Sequence, residues 1–131
     1  MSKRLLRTLL IALSIALLVV PALAKPSKQD LALAKKAAQQ GKKHEKKGDW
    51  EEAREAWQEA VDLNDTPDAR THLAKAEAKL GHLLLAEEIL EKALETKKIS
   101  WAAKHKAKKQ LKELDKQIPQ LRVEPPADFS G

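Results

Sequence analysis

Displaced by 33 residues, this chain falls on its own pattern. Gly48 meets Gly81, Ala53 meets Ala86, Ala56 meets Ile89, Trp57 meets Leu90, Ala60 meets Ala93 and Val61 meets Leu94. Gly41, Ala74 and Ala107 keep the same interval, a small residue wherever two helices must approach closely. A period of this length belongs to chains built from supersecondary units that cannot bury an apolar face alone and stack on their neighbours to do so.

The unit is helical. From Ser27 to Ile118 there is no strand-like alternation, and Ala, Lys, Glu, Gln and Leu dominate, interrupted at Gly41, Gly48, Pro67 and Gly81. Ser27 with Asp30 predicts a capping-box start for a helix to about Lys47, and Asp49 with Glu52 predicts the same for the next. Thr66-Pro67 opens a third helix, Gly81 closes it, a fourth runs from Leu83 to about Lys98, and Ser100 caps a fifth that Pro119 stops. Trp50, Ala53, Trp57, Ala60 and Val61 form one apolar stripe, which a neighbouring helix has to cover. Leu73, Ala76, Leu80, Leu83, Ala86, Leu90, Ala93 and Leu94 supply that neighbour, and Ala103, Ala107, Leu111, Leu114 and Ile118 make a matching stripe on the last helix.

The segment Gly48-Asp49-Trp50-Glu51-Glu52-Ala53-Arg54-Glu55-Ala56-Trp57-Gln58-Glu59-Ala60-Val61 resembles the second helix of the tetratricopeptide repeat. In that family a turn glycine is followed by an aromatic, an alanine, a second aromatic and a second alanine. Gly41 fits the small residue of the first helix, whereas His44 and Ala37 stand where the family has aromatics, and the spacing is 33 against the usual 34. The second repeat, Pro67 to Ser100, keeps the Ala, Leu and Gly positions without an aromatic. Ankyrin repeats share the 33-residue period, but Thr66-Pro67-Asp68-Ala69 lacks their signature. The resemblance implies an all-α array over residues 25–118: two helical hairpins and a C-terminal capping helix from Trp101. Two and a half repeats is short for such an array, which makes a homodimer through Leu84 or Leu85 an expectation.

Residues 1–24 read as a secretory signal peptide: a basic head (Lys3, Arg4, Arg7), an apolar run from Thr8 to Val20 and an A-x-A ending at Ala24. The run is 13 residues, against about 20 for a membrane-spanning helix. Cleavage after Ala24 is expected, with a periplasmic or secreted product; contact with the membrane would come through this segment if it were retained. Removing the head's three basic residues lowers the formal net charge from +6 to +3. Residues 119–131, with Pro125-Pro126, carry little apolar surface and read as a disordered tail.

Chemistry-bearing patterns are few. There is no Cys, hence no thiol nucleophile, disulfide or thiolate metal site. His44-Glu45 begins like a zinc-protease helix, but Gly48 stands where the second His is needed. The four histidines, His44, His72, His82 and His105, lack partners at ligand spacing, so no metal and no cofactor is expected. Asp and Glu fall beside Lys or at helix starts, as capping and i,i+4 pairing require, and none is expected on a buried face. The chain reads as no enzyme. Trp50 and Trp57 belong to the packing stripe, while Trp101 either closes the stack or stands at the rim of a groove.

Lysine carries the positive functional signal. In the tetratricopeptide family the first helix of each pair lines a concave surface, and here Lys42, Lys75 and Lys108 recur at 33, as do Lys46, Lys79 and Lys112, with His72 above His105. These ladders predict a basic groove for another envelope protein or an acidic peptide. The family's carboxylate clamp is not reproduced, since Ala38 and Trp101 take two of its positions. The alternative is a cationic module for anionic lipid or nucleic acid; the interspersed acids oppose it, and nucleic acid is not the expected partner.

Overall fold

The computed structural model describes residues 24–118. The tail expected over 119–131 and, apart from Ala24, the leader expected over 1–24 lie outside the described residues. The order is α1 (Lys28–Lys47), α2 (Trp50–Leu63), α3 (Pro67–Lys79), α4 (Leu83–Leu94) and α5 (Trp101–Asp115). It is an all-α, tetratricopeptide-like array: α1 pairs with α2, α3 with α4, and α5 closes the succession against α4 and α3.

The helix ends follow local chemistry. Ser27 accepts from the Asp30 N–H while Asp30 accepts from the Ser27 N–H, so two orphan donors of α1 are satisfied reciprocally. Gly48 ends α1 in the left-handed region at φ 80°, which a side chain would strain. Thr66 accepts from the Ala69 N–H with Pro67 in the first turn, and Ser100 accepts from the Ala103 N–H. Two expectations are corrected. Asp49 makes no side-chain cap on α2; its carboxylate lies 3.6 Å from His44 Nδ1 instead. α4 stops at Leu94, four residues before Lys98, where the Thr96 N–H bonds back to Ala93 and the chain turns toward the Ser100 cap.

Burial follows the repeat. The first cluster joins Ala37 of α1, Ala53, Trp57 and Ala60 of α2, and Ala69, Leu73 and Ala76 of α3. The second joins Ala74, Ala86, Leu90, Ala107 and Leu114 with Ile118, which tucks in beyond the end of α5. Trp57 and Leu90, at the same repeat position, are each at most 1% exposed. Trp57 lies over Gly41, where a Cβ would come within 2.6 Å of its ring, and stacks on His72 with ring centroids 4.3 Å apart. Trp50 is half-buried against this cluster, with the ammonium groups of Lys75 and Lys79 over its ring. Trp101 does not close the stack: it is 80% exposed and rests on His105. Leu84 and Leu85 are exposed on α4.

Candidate functional site

The first helices of the pairs, α1 and α3, together with α5 border an open cleft. One part, about 620 Å³, is lined by Lys42, Glu45, Lys46, Asp68, His72 and Lys106 among others. The adjoining part, about 440 Å³ between α3 and α5, adds Lys79, Lys109, Gln110 and Glu113; His72, Lys75 and Lys106 belong to both.

Of the residues picked out by the 33-residue interval, Lys42, Lys46, His72, Lys75 and Lys79 meet at this cleft. His105, Lys108 and Lys112 are exposed on α5 but do not line it; Lys106 and Lys109 stand there instead. The reason is a register one residue longer on the last helix. Ser100 caps α5 34 positions after Thr66 caps α3, and the Lys106 ammonium sits 3.0 Å from Nε2 of His72, its counterpart at the same interval. Ala107 hides the slip, because it is buried whether matched with Ala74 or with Leu73, both buried themselves.

Beneath the cleft is a polar network that local spacing did not foretell. Glu45, expected on a solvated face, has a side chain only 9% exposed. Its Oε1 accepts from Trp57 Nε1 at 2.7 Å and from His72 Nδ1 at 2.6 Å, and its Oε2 accepts from Lys75 Nζ at 2.8 Å. Glu77 is likewise buried, paired with His82 Nδ1 at 2.6 Å in the turn between α3 and α4. Buried carboxylates are tolerated when their lone pairs are filled by donors, and Glu45 is filled from α2 and α3 together. His72 completes the chain. Nδ1 faces a carboxylate and Nε2 faces an ammonium, so the neutral ring with its proton on Nδ1 satisfies both contacts.

The titration follows from this geometry. Burial pushes the Glu45 carboxyl up, but its hydrogen bonds from Lys75 and His72, and their charges, hold it below the usual glutamate value. Burial lowers His72 below the ordinary histidine value, and nearby Lys106 adds to this; the hydrogen bond to Glu45 opposes without prevailing. In both cases the unfolded chain binds the proton more readily than the folded one. The stability from His72 is full above its unfolded value near 6.5 and declines as pH falls toward the folded value; that from Glu45 is lost below about 4.3. The melting midpoint is therefore expected to drop on going from pH 7.5 to pH 5, and to drop less in His72→Gln. A midpoint that rises on acidification would contradict the neutral, Nδ1-protonated ring.

The side chains hydrogen-bonded to the Glu45–His72 pair are the Trp57 indole and the ammonium groups of Lys75 and Lys106, while the Thr71 hydroxyl is bonded to the Pro67 carbonyl. Among the described residues no group of three His, Asp or Glu side chains is placed to hold a metal ion, and no helix is long and apolar enough to cross a membrane. What the described residues do form is a succession of packed helix pairs closed by a last helix. No curated protein and no solved structure matches the chain. A family model of the tetratricopeptide repeat matches residues 34–67, the stretch that runs from α1 through Gly41 and Trp57 to the start of α3, and the helix-pair array around it is of the same kind.

Proposed function

We propose that this protein is a non-catalytic interaction module that holds an acidic segment of another envelope protein in the cleft bordered by α1, α3 and α5. The observation that carries this reading is the charge of the lining. Lys42, Lys46, Lys75, Lys79, Lys106 and Lys109 outnumber Glu45, Asp68 and Glu113, and Glu45 is sequestered under Trp57, His72 and Lys75. Clefts lined by one sign of charge concentrate ligands of the other. The basic head and A-x-A ending of residues 1–24 support placing this surface outside the cytoplasm.

The test is a pair of triple variants with the same change in net charge. Lys42→Glu, Lys79→Glu and Lys109→Glu place one reversal on each of the three cleft-lining helices, at side chains outside the ion pairs of the described residues. Lys43→Glu, Lys97→Glu and Lys108→Glu reverse three exposed lysines outside the cleft. Binding of a labelled aspartate decapeptide should be lost in the first triple and kept in the second. Both should fold, because substitutions at exposed surface positions shift stability by about 0.5 kcal/mol or less each. Equal loss in both triples would move the protein to the cationic-module reading, with attraction to anionic lipid or nucleic acid following net charge alone.

A further inference from the structure

We infer that His72 is a proton-operated latch on the cleft: its protonation hands the Asp68 carboxylate from Lys106 to the imidazolium and releases the Lys106 ammonium to an acidic partner. The inference rests on the acidic-partner reading above for its ligand, and on the side-chain geometry for its mechanism.

Every charged neighbour of the ring has a place in the exchange. From α1, Glu45 holds Nδ1 at 2.6 Å, and Lys42 and Lys46 line the same opening. α2 contributes the Trp57 ring, which stacks on the imidazole and fixes its plane. From α3 itself, Lys75 is bound to Glu45, and Asp68 Oδ1 lies 3.9 Å from Nε2. From α5, Lys106 sits 3.0 Å from Nε2 and 3.5 Å from the same Asp68 oxygen. In the neutral ring the Nε2 lone pair accepts from Lys106. A proton added there removes the only acceptor site on Nε2 and sets two cations face to face, which a half-exposed lysine relieves by swinging outward. Asp68 then has a closer donor in Nε2–H than in Lys106. One charge is gained in the cleft and a second is freed from local pairing, while Glu45 keeps Nδ1 and the Trp57 stack in place. Because the proton and the acidic ligand favour each other, ligand binding must raise the His72 midpoint as much as protonation tightens binding.

The test has two arms on the full mature chain. In the first, the His72 ring resonance, identified by its absence in His72→Gln, is followed through pH by NMR in the wild type, Lys106→Met and Asp68→Asn. Lys106→Met should raise the midpoint and Asp68→Asn should lower it; a midpoint indifferent to both would overturn the latch. In the second, affinity for the aspartate decapeptide is measured at pH 7.5 and pH 5, where the peptide remains largely ionised. Binding should tighten roughly threefold to tenfold at the lower pH, and His72→Gln should bind with little pH dependence. Binding that is equally tight at both pH values overturns the latch and leaves the acidic-partner reading standing. Absence of binding at both removes that reading, and the midpoints of the first arm then decide whether Lys106 and a proton compete for Nε2.

Discussion

Replacing Trp57 by alanine is expected to cost about 3–5 kcal/mol, enough to unfold much of an array this short. The indole is 1% exposed and is held on three sides: Gly41 of α1 lies against one part of the ring, His72 of α3 stacks on it, and its Nε1–H is bound to Glu45. Alanine removes all three together and leaves a cavity where three helices meet. It also exposes a buried carboxylate to partial loss of its donors. Trp57→Phe separates the two contributions, since it keeps most of the apolar ring and removes the N–H. Its expected cost is about 1–2 kcal/mol, because Glu45 still accepts from His72 and Lys75. Urea denaturation followed by circular dichroism measures both. A Trp57→Ala midpoint equal to that of the wild type would mean that the ring does not bridge α1, α2 and α3.

Helix existence and the packing stripes could be read from the residues because both are local or periodic. The Ser27, Thr66 and Ser100 caps act within three residues, and Trp57 and Leu90 share a repeat position that periodicity alone can find. The end of α4 was less legible, since no Gly or Pro lies between Leu94 and the Ser100 cap to mark the stop. Glu45 escaped for a different reason. Its three donors lie 12, 27 and 30 residues away, beyond any i,i+4 rule, so nearby lysines offered an adequate local account of a charge that in fact faces inward. One signal was available: Glu45 is the single acid of α1 after Asp30, set among Lys42, Lys43, Lys46 and Lys47. The cleft was legible in outline on α1 and α3 and displaced on α5. A repeat interval copies backbone position only while successive repeats have the same length, and Ser100 caps α5 34 rather than 33 positions after Thr66 caps α3.

Gly41→Ala is expected to destabilise the protein by about 1–3 kcal/mol, against the ordinary direction of that substitution. In an unobstructed helix interior alanine is more stable than glycine by about 1 kcal/mol, through lower backbone entropy in the unfolded chain. Here the added Cβ would lie 2.6 Å from both Nε1 and Cε2 of Trp57. The ring cannot move away freely, because Glu45 holds its N–H and His72 covers it. The second repeat states the same rule with other side chains. At the positions 33 residues on, Ala74 and Leu90 share one core cluster, the smaller apolar group leaving room for the methyl that Trp57 excludes. The double variant Gly41→Ala/Trp57→Leu imports that pair into the first repeat. Its methyl no longer meets an indole, so Gly41→Ala should be neutral or stabilising in the Trp57→Leu background while destabilising in the wild type, a coupling measurable by a double-mutant cycle in urea. Equal effects of Gly41→Ala in the two backgrounds would show that the glycine is not required by the ring above it.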